Sequence, residues 1–425
     1  MINGLFFILF LAGTGLNFVF KQVLEFIDFK FRQKHGTEIP AELQSYLEKE
    51  NLEKTVKYEN ENYFAWIPFS ICSTSLSVFL VVSGYFPAVF EFSKSLTDNA
   101  YLGVLIFSVL TSIPSALLSI PFNLWDEFKI EKKYGFSNMT LKMFIVDGLK
   151  NALLNLVLSL PLLLIFTFIL IHASQWWWIL VSSVTIVFSL LVSYIYPVLL
   201  APIFNKFTPL ENEELKVKLE KLLEKCGFKA SGIFQMDASK RSNHSNAYFT
   251  GFGKNKRIVL FDTLLKQLDD DEIEAVLGHE LGHYKKHHII KRMAVSLPLL
   301  FIAMFLISLL IKLPSLYTDF GFSADILKSS DKGAVAFLQL AIIPLATSAF
   351  EGFNWIVKFI SNHFSRKDEF EADRFSAELC GSGKPLSSAL IKLNKENLSE
   401  VQVPEIYSMF CYSHPPLMER INAVK

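Results

Sequence analysis

The sequence predicts an all-α multi-pass membrane protein. It has seven transmembrane helices and, on the cytosolic side, a helical domain that carries a small β-hairpin. Three observations predict this. Hydrophobic residues make up 51% of the 425 residues and charged residues only 19%, against about 25% charged in a soluble domain; mean hydropathy is +0.35. Uncharged runs long enough to cross about 30 Å of hydrocarbon recur along the chain. The cationic residues fall almost entirely on one side of the topology those runs define. Lys+Arg and Asp+Glu are both 41, so bulk charge gives no argument for a nucleic-acid partner. Cys72, Cys226, Cys380 and Cys411 are scattered without a CxxC pair, so neither a disulfide framework nor a thiolate metal site is expected.

The first three spans are 1–20, 64–90 and 100–125. The run 1–20 lacks a basic n-region and an A-x-A site, so it reads as a span and not as a cleaved signal. Residues 151–205 are 55 in a row without Asp, Glu, Lys or Arg, far too long for one helix at 1.5 Å per residue. The run must fold back, with 172–175 as the turn and Trp176, Trp177 and Trp178 where an interfacial aromatic belt belongs. That gives spans 151–171 and 176–205, and a five-span membrane portion over 1–205. Spans 293–311 and 333–350 complete the set within 293–350. With seven spans, 37 of the 41 Lys and Arg lie on one side and 4 on the other. The positive-inside rule then puts the N-terminus outside and the C-terminus in the cytosol, in either a bacterial inner membrane or the endoplasmic reticulum.

The polar parts follow in order. Segment 21–63 is amphipathic and reads as cytosolic helix. Segment 206–292 opens with a helix over 211–226, whose Leu215, Leu219, Leu222 and Leu223 recur at helical spacing and which Gly227 ends. Residues 246–250 and 257–261 read as two strands around a turn at 251–256. Asp269, Asp270 and Asp271 cap a helix that runs to about Lys291. The tail, 351–425, is helical to about Cys380, broken by Gly381 and Gly383, helical again over 385–397, then a loop to Ser413.

The chemistry lies in two motifs. His279-Glu280-Leu281-Gly282-His283 is an H-E-x-x-H sequence: on a helix, positions i and i+4 share a face, so both imidazoles reach one ion. Glu280 beside them can deprotonate a zinc-bound water. A catalytic zinc takes a third protein ligand and keeps one position open. Glu369 and Asp373, again four apart on one helical face, supply that ligand and a carboxylate to fix a ligand histidine's tautomer. Glu371 is the competing ligand but points to another face. This makes the cytosolic domain zincin-like, with a catalytic segment over 206–292 and an ExxxD helix in the tail. His287 and His288 lie beyond the motif and read as the solvated or interfacial end of the helix.

These motifs resemble those of the type I CAAX prenyl endopeptidase family, the sterile-24-type integral membrane zinc metalloproteases. The resemblance rests on His279–His283, on 365–373 (SRKDEFEAD), and on three further segments: 130–137 (IEKKYGFS), 244–251 (HSNAYFTG) and 413–420 (SHPPLMER). It implies that the seven helices form a barrel around a large water-filled chamber, with one Zn2+ on its cytosolic side. By motif match His279, His283 and Glu369 would be ligands, Glu280 the base, and Asp373 the carboxylate behind a ligand. His414 would line the site and stabilise the oxyanion. Arg420 would sit close by as a substrate-site residue, and Asn246, Ala247 and Tyr248 would lie on the edge strand that receives substrate. An exposed strand edge just before the zinc helix suits β-augmentation by a peptide.

The expected function is therefore zinc-dependent hydrolysis of peptide bonds near the C-terminus of prenylated CAAX proteins or peptides, with membrane lipid around the chain. A membrane quality-control protease acting on unprenylated peptides keeps the same chemistry. A transporter or metal-sensing protein is disfavoured, because the spans carry almost none of the ionisable groups a transport path needs. The sequence does not specify an oligomeric state.

Overall fold

The computed structural model describes residues 4–228, 230–250 and 256–424. Its first two helices, α1 (Leu5–His35) and α2 (Lys49–Val82), are 31 and 34 residues long. Both exceed the roughly 20 residues a bilayer requires, because each continues as helix through its polar half. Segment 21–63 is therefore largely the protruding ends of two spans. The second span stops at Val82 and not at 90: Gly84, at φ 73, breaks the helix, and α3 (Tyr85–Leu96) starts afresh. Helix α4 (Ala100–Trp125) runs on through a π segment, Asp126–Glu131, into the single turn α5 (Lys132–Tyr134). Helices α6 (Leu141–His172) and α7 (Trp177–Ile195) flank the expected turn, and α7 passes into a second π segment, Tyr196–Leu200. The aromatic belt is only partly realised. Trp176 is exposed, whereas Trp177 is buried in the core and Trp178 packs on Phe305.

Segment 206–292 holds β1 (Phe207–Pro209), α8 (Glu213–Lys225), β2 (Ile233–Met236), β3 (Ala247–Thr250), β4 (Arg257–Phe261), α9 (Asp262–Gln267) and α10 (Asp270–Lys285). The expected β3–β4 pair is antiparallel, but it belongs to a four-stranded sheet in the order β1-β2-β4-β3, with β2 parallel to β4. Most of the expected turn, 251–255, lies outside the described residues. The helix expected to reach Lys291 ends at Lys285, and α11 (His288–Leu310) begins after a break at Lys286 and His287. Beyond it come α12 (Pro314–Asp319), α13 (Lys332–Ser348), α14 (Asn354–Cys380) and α15 (Lys384–Glu396). The expected loop to Ser413 contains α16 (Glu405–Cys411), and α17 (Leu417–Val424) follows.

Among the described residues, six helices are long and apolar enough to cross a membrane: α1, α2, α4 with its extension, α6, α7 with its extension, and α11. The bent pair α13 and α14, at 48°, supplies the seventh when counted as one span. Only 11–17% of each of those six spanning windows is buried. Helices packed together along their whole length would bury a continuous face. Here one core (Phe6, Phe10, Phe90, Phe107, Trp177, Phe337 and their neighbours) closes one end of the bundle. A second core, built from α8, the sheet and α10, packs the other end.

Candidate metal centre and active site

The start of α10 is fixed by a capping box. The Asp269 side chain accepts hydrogen bonds from the backbone N–H of Asp271 and Glu272 (3.1 and 3.0 Å), and Glu272 accepts from the Asp269 N–H (2.9 Å). The buried Glu272 is also held by Lys392 at 2.6 Å and by Ser388 at 2.6 Å. Helix α10 then lies against α14. A Cβ on Gly282 would come within 2.8 Å of the Ala372 Cα, and one on Gly278 within 2.9 Å of the Ser376 Oγ. The pairs 278 with 376 and 282 with 372 make the helices antiparallel, and the glycines let the backbones approach closely. Gly282→Val should therefore push the helices apart and cost about 1–3 kcal/mol. We expect a lower melting temperature in detergent and less bound metal; unchanged values for both would refute the close-approach argument.

This approach brings the two motifs together. His279 Nε2 lies 3.3 Å from Glu369 Oε2, His283 Nε2 lies 3.3 Å from Glu369 Oε1, and the two imidazole Nε2 atoms are 3.2 Å apart. All three donor atoms lie within 4.8 Å of one another. Two tests say the cluster fits a metal ion. First, donors about 2.0–2.1 Å from a tetrahedral ion stand about 3.3 Å apart, the spacing seen here. Second, Glu369 Oε2 is buried without a hydrogen-bond partner among the described residues, a cost that a cation in the cluster would remove.

The far sides of the imidazoles are also held. His279 Nδ1 lies 2.7 Å from Asp373 Oδ1, and Asp373 is fully buried. Arg420 donates to both oxygens of that carboxylate, Nη2 to Oδ1 at 2.6 Å and Nε to Oδ2 at 2.9 Å. Arg420, expected beside the substrate, thus has its guanidinium turned to Asp373. His283 Nδ1 is 2.9 Å from His288 Nδ1. His288 is 1% exposed, which overturns its reading as a solvated helix end; His287 is exposed.

A cavity of about 840 Å³ opens over the cluster, and His279, Glu280, His283, Glu369 and His414 line it together with Phe249, Thr250 and Tyr196. Burial raises the Glu280 carboxyl above its ordinary range, against the pull of the nearby His279 and His283. His414 Nε2 stands 3.5 Å from Glu369 Oε1. Strand β3 is the sheet edge beside this cavity. The Phe261 N–H donates to the Asn246 C=O at 3.1 Å. Antiparallel alternation then turns the backbone groups of Ala247 and Phe249 to the open edge. The Ala247 N–H is already taken by the Asn246 side chain at 2.8 Å. Tyr248 packs edge-on against Phe261, so Phe249 and Thr250 are the β3 residues that reach the cavity wall.

Sequence reasoning missed the elements that position this edge. His244 bridges Glu131 of the first π segment (3.1 Å) and Asn397 (3.0 Å), and it stacks on Phe136. The motif segments 130–137 and 244–251 were legible, but their mutual contact was not. Interrupted helices of this kind are frequent at functional sites.

Two family models cover nearly the whole chain: "CAAX prenyl protease N-terminal, five membrane helices" over residues 28–206, and peptidase family M48 over residues 209–425. Curated relatives match over most of their length. The CAAX prenyl protease 1 homolog of Arabidopsis thaliana is 35% identical, over 91% of this chain and 90% of its own. That of Homo sapiens is 32% identical, over 92% and 90%, and CAAX prenyl protease 1 of Saccharomyces cerevisiae is 33% identical, over 93% and 90%. The crystal structure of S. mikatae Ste24p superposes with a TM-score of 0.91 at 30% identity, covering 100% of both chains. Matched in sequence from end to end and in fold throughout, the chain belongs to peptidase family M48 and is a multi-pass membrane metalloendopeptidase.

Proposed function

We propose that this chain is a zinc endopeptidase that cleaves prenylated CAAX peptides near their C-terminus, at a site open to the cytosol. The observation that carries the substrate class is the end-to-end similarity to CAAX prenyl protease 1 homologues from plant, animal and yeast. The distribution of Lys and Arg supports the orientation, with the N-terminus outside and both motifs in the cytosol.

His279, His283 and Glu369 would hold one Zn2+ per chain, since two imidazoles and a carboxylate suit that ion. When bound, the ion polarises the scissile carbonyl and lowers the pKa of its water to about 7. The Glu280 carboxylate takes the proton of the attacking water and returns it to the leaving amine. His414, on the cavity wall, donates a hydrogen bond to the oxygen on which charge develops. Asp373 keeps the His279 proton on Nδ1, so that Nε2 presents its lone pair to the cluster, and Arg420 holds Asp373 in place. Asn246, Ala247 and Tyr248 form the start of the β3 edge along which the peptide lies as an added strand. The open Ala247 C=O and the Phe249 N–H and C=O supply main-chain partners, and Phe249 and Thr250 guide the peptide into the cavity.

The test uses full-length protein in detergent with a farnesylated CAAX peptide and its unprenylated twin. We expect chelator-sensitive cleavage that favours the farnesylated peptide. Equal cleavage of both would replace this substrate class with unprenylated membrane peptides. Cleavage insensitive to chelation would refute the metal mechanism.

A further inference from the structure

We infer that His288 is a positioning residue for the metal site, the counterpart for His283 of what Asp373 is for His279. This rests on the proposed zinc site and extends it to a residue that no motif includes. The geometry is a chain of three side chains. His283 turns Nε2 to Glu369 at 3.3 Å and Nδ1 to His288 Nδ1 at 2.9 Å. His288 turns Nε2 to Glu371 Oε2 at 3.3 Å and lies 3.6 Å from Asp368. With Nε2 of His283 facing the ion, its proton sits on Nδ1 and is donated to His288 Nδ1. His288 then carries its own proton on Nε2 and donates it to Glu371. Every nitrogen in the chain has one role. Lys291, 3.6 Å from Glu371, and Arg292, at 3.0 Å from Asp368, balance the two carboxylates.

The backbone is shaped to allow this. Five residues along an unbroken helix rotate a side chain by about 500°, which would leave His288 about 140° away from His283. The break between α10 and α11 removes that constraint. His287 adopts the left-handed conformation at φ 57 and ψ 34, unfavourable for a residue with a Cβ. Strain of this kind persists where the surroundings over-determine it, and it clusters at functional sites. Here the turn folds His288 back over His283, where it is 1% exposed. The first residue of the sixth span thereby becomes a support of the metal site.

Outer partners of ligand histidines typically contribute about 10–100-fold in metal affinity. The experiment measures zinc affinity of the full-length protein in detergent by competition with a graded chelator. It also records the visible absorption of the Co2+-substituted protein. His288→Leu fills the buried space but removes the acceptor, and we expect a 10–100-fold loss of zinc affinity and a shifted Co2+ spectrum. His288→Asn keeps a polar oxygen near the position of Nδ1 and should recover most of the affinity and the native spectrum. Native affinity and spectrum in His288→Leu would overturn the proposal. So would equal losses in the Leu and Asn variants, which would mark His288 as packing only. Wild-type protein that takes up neither metal would instead refute the zinc site itself, and this proposal with it.

Discussion

Replacing Glu280 with Gln is expected to lower peptide cleavage by on the order of 10²–10⁴-fold, the usual contribution of a positioned general base, while one metal ion per chain stays bound. The two halves of this result have separate causes. Glu280 is not among the three converging donors, so an isosteric amide leaves the metal cluster intact. Its side chain does line the cavity beside His279 and His283, where an amide cannot take a proton from water. Metal content by elemental analysis and initial rates on one preparation separate the two. A variant that retains wild-type rates would remove Glu280 from the mechanism. A variant that loses its metal would place the carboxylate's role in the site's architecture.

How much of this was legible in the sequence depended on whether a constraint was local. The spans were legible because lipid demands an uninterrupted apolar run. Their ends were not, because α1 and α2 stay helical after the apolar run stops, and only tertiary packing decides how far. Arg32 illustrates this: it is buried beyond the first apolar run and pairs with Asp28 of its own helix and with Glu400 of the tail at 2.8 and 2.9 Å. The two metal motifs were legible because a spacing of four is one face of a helix. Their meeting was written less plainly, in Gly278 and Gly282 against Ala372 and Ser376, small residues that mean little until the helices are paired. His288 was illegible for a physical reason. Helical periodicity points it away from the site, and only a left-handed residue at His287, which has no sequence signature for a non-glycine, brings it back. The four-stranded sheet was half legible: β3 and β4 follow one another around a turn, whereas β1 and β2 join across α8 and a long connection, a pairing that no local pattern announces.

Glu369→Ala should have the second large effect: loss of stoichiometric metal and, with it, of cleavage. The argument starts from the cluster's charge. His279 and His283 are neutral as ligands, so Glu369 supplies the only anionic donor of the three, and its removal leaves a divalent ion facing two neutral nitrogens. Asp373 cannot substitute, because both of its oxygens are engaged by Arg420 and one also faces His279 Nδ1, on the ring edge opposite the cluster. Glu371, the carboxylate that competes with Glu369 on sequence grounds, provides the control. It lies 3.3 Å from His288 Nε2, one imidazole removed from His283. Glu371→Ala should therefore keep metal bound, with affinity lowered by no more than about the 10–100-fold that outer partners contribute. Fold loss is a competing explanation for any defect in the Glu369 variant, and the two substitutions separate it. Glu369 is buried at 3% exposure and its oxygens face His279 and His283 at 3.3 Å, but Oε2 makes no hydrogen bond among the described residues, so truncation relieves a buried carboxylate and breaks few hydrogen bonds. The apo forms of wild type and Glu369→Ala should then melt within a few degrees of each other, and the metal-dependent rise in melting temperature should be present in wild type and in Glu371→Ala and absent from Glu369→Ala. Metal retained by Glu369→Ala and lost from Glu371→Ala would exchange the roles of the two carboxylates and turn the assigned ligand face of α14 through two residues.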